Sequence, residues 1–302
     1  VSVNTLSQQI QTAISAMYDV NEAKAIAQAY LNMKCGSTSL DILLGKEVEK
    51  PDEFESDLQR LSDGVPLQYV TGKAYFLDRL FSLNSDTLIP RPETEELVIQ
   101  VLNRLGDSTK TVLDIGTGSG CIAISIALEA LNAQVTAWDI AETAVQQARM
   151  NAKDLGASVD FRQQDVFEWA QDVNTWDFIV SNPPYVPTGP DAHLEAIPGA
   201  VGPAWAWNAG MDGRLVLDPL CDVAPALLDD GGTMLIVQSE FADADQTVRR
   251  LRRRGLRTEV LMTQLIPFGP VLHARAAWLE STGRLPVGRR EERLVVIRAQ
   301  KQ

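Results

Sequence analysis

Histidine, cysteine and long apolar runs are scarce in this 302-residue chain. The two histidines, His193 and His273, stand far apart, and Cys35, Cys121 and Cys221 form no CxxC pair. No metal-ligating set follows from either residue type, and an odd, scattered group of thiols reads as reduced cysteines of a cytoplasmic protein. No apolar stretch approaches the roughly 20 residues that a membrane helix needs. Residues 1–11 carry neither the basic start nor the apolar core of a secretion signal. The expectation is a cytoplasmic protein with no membrane contact and no metal.

Positive charge is also in short supply: 27 Lys and Arg face 40 Asp and Glu, a net charge of −13. Non-specific affinity for nucleic acid comes from cations that neutralise phosphates, so no direct nucleic-acid binding is expected, although a local basic patch can act on an acidic protein. Apolar residues, at 45%, are plentiful enough for a full core, and the length favours one large domain plus a smaller one.

Residues 1–72 read as short helices. Leu6, Ile10, Ala13, Ile14 and Met17 recur at three- and four-residue spacing, and Asn21 is a candidate cap for a second helix through Tyr30 and Met33 that ends near Gly36. Ser39–Leu44 and Pro51–Leu61 supply two more segments. None of these residues forms a chemical constellation, so a packing or substrate-docking module is expected. Residues 73–90 change to alternating aromatic and apolar character (Tyr75, Phe76, Leu80, Phe81, Leu83), which predicts a β-hairpin linker.

From residue 91 to 302 the chain alternates strand and helix. Strands are expected at Thr111–Ile115, Gln134–Trp138, Val159–Gln163, Phe178–Ser181, Thr233–Gln238, Thr258–Thr263 and Leu294–Arg298. Such βα alternation predicts an α/β fold, a mainly parallel sheet with helices on both faces. No helix is evident between the last two strands, so an antiparallel edge is expected.

Four elements within this region carry chemistry. Asp114-Ile115-Gly116-Thr117-Gly118-Ser119-Gly120 is a buried strand that runs into a glycine-rich turn, suited to a nucleotide-like ligand at the carboxyl end of a parallel sheet. Asp139, at the end of the next strand, can accept both ribose hydroxyls of an adenosine, a device that NAD enzymes share. Asp165 and Val166 follow the third strand, where a polar group meets an adenine amine; a plain turn is the competing reading. Asn182-Pro183-Pro184-Tyr185 follows the fourth strand. Its prolines fix the backbone, so that the Asn182 side chain and the Pro183 carbonyl offer acceptors for both hydrogens of an NH₂ group, while Tyr185 offers a flat stacking face. An amide nitrogen is a poor nucleophile because its lone pair is delocalised. Holding both N–H groups turns that lone pair toward a sulfonium methyl, through positioning and electrostatic preorganisation.

These motifs, with Leu88-Ile89-Pro90-Arg91-Pro92-Glu93-Thr94-Glu95 and the helical module, resemble the class I methyltransferases, and specifically the HemK-type release-factor glutamine N5-methyltransferases. The resemblance implies a Rossmann-like, seven-stranded, mostly parallel sheet behind an N-terminal helical bundle. It implies S-adenosylmethionine held by Asp114, Gly116, Thr117, Gly118, Ser119, Gly120, Asp139, Asp165, Val166 and Asn182. Asn182, Pro183, Pro184 and Tyr185 would hold the substrate glutamine of a GGQ loop in a peptide-chain release factor, with Asn182, Pro183 and Tyr185 in the catalytic roles. The NPPY tetrapeptide is also shared with adenine-N6 and guanine-N2 nucleic-acid methyltransferases, which is the alternative function. A non-catalytic scaffold and an NAD oxidoreductase rank below both.

The composition changes near residue 186. Seven lysines precede that point, while Lys301 alone follows it among thirteen arginines. Gly202-Pro203-Ala204-Trp205 stands where the bacterial family usually has a Glu-Pro pair, and the stretch from Pro267 to Ala276 is similar to actinobacterial relatives of the archaeal and eukaryotic glutamine methyltransferases. A mosaic chain is the expectation. The arginines between Arg249 and Arg254 are expected to form a solvated helix face.

Overall fold

A computed structural model describes residues 1–106, 108–168, 174–195, 197 and 202–302. It divides into two compact units, one of Val1–Ala74 with Ile197–Val201, the other of Tyr75–Ala196 with Gly202–Gln302.

The first unit holds helices α1 (Val3–Ile14), α2 (Val20–Cys35), α3 (Ser39–Leu43), α4 (Phe54–Ser62) and α5 (Leu67–Thr71). Val3, Leu6, Ile10 and Ile14 form one stripe of α1 and pack with Ala27, Tyr30, Leu31, Phe54 and Leu61 in a core of their own. Met17 lies beyond the end of α1 and is exposed, so the expected stripe is one turn too long. The cap of α2 is Asp19, not Asn21: its carboxylate accepts the Asn21 and Glu22 N–H groups at 2.8 and 2.9 Å, a stronger arrangement at the positive helix end. Gly36, at φ +64°, ends the helix. The buried Tyr30 hydroxyl donates to Asp57 at 2.9 Å, and Lys34 pairs with the same carboxylate at 3.1 Å.

Strands β1 (Lys73–Phe76) and β2 (Arg79–Ser82) form a two-stranded hairpin. Its turn, Leu77-Asp78, has positive φ at both residues, the geometry that matches the twist of a tight hairpin. Beyond it come α6 (Pro92–Leu105), β3 (Lys110–Ile115), α7 (Cys121–Glu129), β4 (Ala133–Asp139), α8 (Glu142–Leu155), β5 (Asp160–Gln163) and β6 (Trp176–Ser181). Then follow α9 (Leu217–Leu227), β7 (Leu228–Ser239), α10 (Ala244–Arg253), β8 (Arg257–Pro267), α11 (Pro270–Ser281) and β9 (Glu291–Gln300).

The described residues form a seven-stranded sheet in the order β5-β4-β3-β6-β7-β9-β8. β3 runs parallel to β4 on one side and to β6 on the other, so the chain reverses its direction of travel across the sheet at this point. In open α/β sheets the crevice at such a reversal is where ligands bind. Alternation along each strand divides the core into two layers. Val112, Val135, Phe178, Val180, Leu235 and Val296 face one way with residues of α6, α7 and α8. Leu113, Trp138, Ile179, Met234, Ile236 and Ile297 face the other way with residues of α9 and α10.

Two expectations for the C-terminal part are corrected. A helix, α11, does connect β8 to β9, and the antiparallel strand is internal: β9 lies between β7 and β8 and is antiparallel to both. The helix is hidden in sequence because one of its buried positions is an arginine, Arg275, beside Leu272, Ala276 and Leu279. The compositional change at residue 186 is not a structural boundary, since β6 before it pairs with β7 after it.

Candidate active site

The glycine-rich turn is fixed by its neighbours before any ligand arrives. Gly116 and Thr117 donate their N–H groups to the Trp138 carbonyl at 2.9 and 3.0 Å, which ties the end of β3 to the end of β4. Thr117 Oγ1 donates to Asp114 Oδ2 at 2.7 Å. Asp114 is fully buried, and burial pushes its carboxyl up to about 7, against the Thr117 hydrogen bond. Gly120, at φ +83°, starts α7; a Cβ there would stand 2.9 Å from Ile124 Cδ1 and 3.0 Å from the Ala148 side chain. Asn151 on α8 donates to the Ser119 carbonyl at 2.8 Å and to the Ser82 carbonyl at 2.9 Å, and accepts the Ser82 N–H at 2.9 Å. One amide therefore binds the turn to the hairpin strand β2.

Asp139 closes β4 and is 5% exposed. Its Oδ2 accepts the Gly118 N–H at 2.9 Å and its Oδ1 the Ala141 N–H at 3.0 Å. Burial raises its carboxyl and these N–H groups oppose that rise. Asp165 forms a local turn by accepting the Phe167 N–H at 2.8 Å, so the turn reading and a place on the cavity wall hold together.

At the end of β6, Ser181 Oγ donates to the Ile115 carbonyl at 2.8 Å. Asn182 Nδ2 donates to Thr94 Oγ1 at 3.2 Å, so the first turn of α6 holds one end of the amide. Pro183 is buried. The Tyr185 ring packs against both apolar layers; burial, and the nearby Glu292 carboxylate, push its phenol upward, while Arg91 opposes them.

The segment after Tyr185 runs beside residues 207–210. Val186 exchanges backbone hydrogen bonds with Trp207 and Ala209, at 3.0 and 3.1 Å, and Thr188 donates its N–H to Gly210 at 2.8 Å. Arg275, 1% exposed, reaches both segments from α11. It donates to the Pro187 carbonyl at 2.9 Å, to Asn208 Oδ1 at 2.6 Å and to Glu195 Oε2 at 3.0 Å. Trp205, 47% exposed, stands at the rim, whereas Trp207 is buried.

These elements enclose a cavity of about 700 Å³. Of the residues singled out in the sequence, Gly116, Gly118, Asp139, Asp165, Val166, Asn182 and Pro184 line it. Asp114, Thr117, Ser119 and Gly120 shape the turn from outside the lining, and Pro183 and Tyr185 are not among the wall residues. Sequence reading did not single out Ile140, Asn208 or Leu215, which line the cavity together with Leu88 of the 88–95 motif and Phe167 beside Val166. Ile140 directly follows a motif position at a strand end, and that adjacency was the available signal. The basic run on α10 is engaged locally: Arg250 and Arg254 pair with Asp222, at 2.7 and 2.9 Å, and Arg252 donates to the Thr258 carbonyl. Among the described residues no cluster of three or more His, Cys, Asp or Glu is arranged to hold a metal, and no helix is long and apolar enough to cross a membrane.

Residues 93–197 match the family described as methyltransferase small domain. The release factor glutamine methyltransferase of Bacteroides thetaiotaomicron is 40% identical over 200 residues, 64% of this chain and 71% of that protein. The enzyme of the same name from Bacillus subtilis is 34% identical over 238 residues, 76% of this chain and 83% of the other. Among solved structures, an E. cuniculi complex described as responsible for methylating the eRF1 translation termination factor aligns with a TM-score of 0.47 and 23% identity, covering 72% of this chain and 99% of that one. The identities to the Bacteroides thetaiotaomicron and Bacillus subtilis enzymes, the latter over three quarters of this chain, show that the chain belongs to the release factor glutamine methyltransferases.

Proposed function

We propose that this enzyme transfers a methyl group from S-adenosylmethionine to the side-chain amide nitrogen, N5, of the glutamine in the GGQ motif of a peptide-chain release factor, in the cytoplasm. The observation that carries the reading is that Asn182 lines the same cavity as Gly116, Gly118 and Asp139. This juxtaposes an amide-binding group with a nucleotide-binding turn.

The residues fit the cofactor. Space is open where a Cβ would stand on Gly116 or Gly118, so a ligand can lie against the backbone there. Each Asp139 oxygen accepts one backbone N–H and retains a lone pair for a ribose hydroxyl. Val166 and Phe167 supply an apolar wall for the adenine, and Asp165 a polar edge. When bound, S-adenosylmethionine supplies an electrophilic methyl on a sulfonium.

The chain's own residues then act by position. Asn182 Oδ1 and the Pro183 carbonyl accept the two N–H groups of the glutamine amide, which turns the nitrogen lone pair out of the amide plane's resonance and toward the methyl. Pro183 and Pro184 fix the backbone that presents these acceptors. Tyr185, anchored between the two apolar layers, braces that backbone. Once it carries the methyl, the N-protonated amide is a strong acid and would release its extra proton to water, with the thioether as the other product, so no carboxylate base is required. The helical segment 1–72 is proposed to dock the release factor.

The test is transfer of labelled methyl to a purified release factor, beside the same factor with its GGQ glutamine changed to alanine. Label confined to the intact glutamine is expected, and Asn182→Ala should lower the rate about 10²-fold, the scale of losing an oriented polar contact in a preorganised site. Labelling of RNA or DNA in place of the factor would overturn the proposal.

A further inference from the structure

Asn182 and Asn208 both line the cavity, and the segments that carry them run side by side through the Val186–Asn208 bridge. Each has one end of its amide occupied from outside. A guanidinium has donors and no acceptor, so the end of Asn208 that meets Arg275 at 2.6 Å is its oxygen; the Thr188 hydroxyl donates to that same oxygen at 3.3 Å. Its Nδ2 donates to none of the described residues, and Asn208 is one of the residues that line the cavity. Asn182 is held the opposite way round. Its Nδ2 is on Thr94, and its Oδ1 accepts from none of the described residues.

We propose that Asn182 Oδ1 and Asn208 Nδ2 form a complementary acceptor–donor pair that selects a primary carboxamide, with the substrate N–H on Asn182 and the substrate carbonyl on Asn208. The proposal rests on the glutamine reading above and adds a residue to it. Thr94 and Arg275 are then positioning residues: each fixes which end of an asparagine faces the substrate. A carboxylate has no hydrogen for Asn182, so the pair distinguishes glutamine from glutamate. Buried polar groups left unmatched are the strongest source of such discrimination. The Arg275 clamp also explains a charged residue, 1% exposed, on the inner face of α11. Its full set of contacts, with Glu195, Pro187, Thr188 and Asn208, organises the substrate side of the cavity.

The test measures steady-state methyl transfer to a release factor, with cofactor affinity and thermal midpoint read on each variant. Asn208→Asp keeps an acceptor for Arg275 but removes the donor and turns a carboxylate toward the substrate carbonyl. It should lower kcat/KM by about tenfold or more, with cofactor affinity within about twofold of the parent. Thr94→Val frees the Asn182 amide to rotate and should lower kcat by about tenfold, while Thr94→Ser, which keeps the hydroxyl, restores it. Should Asn208→Asp not fold, Asn208→Ala carries the same expectation. An unsubstituted enzyme that leaves the release factor unlabelled would sink the function itself. An active parent with the Asn208 and Thr94→Val variants within about twofold of it would overturn the pair and leave the function standing.

Discussion

Asp139 Oδ2 accepts the Gly118 N–H at 2.9 Å, which locks the end of β4 to the middle of the glycine-rich turn. One carboxylate thus shapes the turn and keeps lone pairs for a ligand. Asp139→Asn places an NH₂ where at least one backbone N–H now donates, and a donor facing a donor loses the contact on both sides. Cofactor affinity should fall by about 30-fold or more, the scale of one or two hydrogen bonds to a charged group. Isothermal titration with S-adenosylmethionine reads it, and an unchanged affinity would remove Asp139 from the ligand site.

Two glycines of the same turn should respond differently. At Gly120 an added Cβ meets Ile124 and Ala148 at 3.0 Å or less and the φ is positive. Gly120→Ala should therefore cost about 1–3 kcal/mol of stability and lower the thermal midpoint by several degrees. Around Gly116 there is room, although φ is +77°. Gly116→Ala is expected to melt closer to the parent and to lose cofactor affinity more, because its Cβ enters the cavity. Calorimetric melting and titration of both variants separate the two effects.

Asp114 gives the fold a pH dependence of known sign. Burial holds its folded-state carboxyl at about 7, above the value of about 3.9 in an unfolded chain. Between those values the folded state holds the extra proton, so the contribution is full below pH ~4 and is lost as pH rises through ~7. The ligand-free protein should lose stability from pH 5 to pH 8, and Asp114→Asn, uncharged throughout, should flatten that slope. Thermal midpoints of parent and variant at three pH values decide it; parallel curves would refute the assignment.

Asn151 makes three hydrogen bonds from a side chain that is 2% exposed. Asn151→Ala leaves the Ser82 and Ser119 backbone groups without those partners, at a cost of about 2–4 kcal/mol for a buried polar network. Hydrogen exchange should quicken first in β2 and in the turn. A variant as stable as the parent, with unchanged exchange in both segments, would show that the bridge is dispensable.

Much of this protein was legible in its sequence because the signals are local. A strand that enters a glycine turn, an acidic residue at the end of the next strand, and two prolines after the fourth each declare their geometry within a few residues. The period of the apolar residues gave the strand-and-helix alternation for the same reason. What was misread depended on partners distant in the chain. α11 escaped notice because Arg275 occupies an inner position, and only its contacts with Glu195 and Asn208 explain why a charge can stand there. The internal place of β9 follows from pairing with β7 and β8, which no local pattern encodes.

The sequence by itself determined the fold class, the glycine-rich turn and, through its motifs, the resemblance to the family, since all three rest on backbone preferences and residue types at short spacing. Tertiary structure alone decided which atoms of those residues are spoken for. Thr94 takes the Asn182 donor from 88 positions away, and Arg275 the Asn208 acceptor from 67. An amide has two chemically opposite ends, and the sequence does not record which one folding engages.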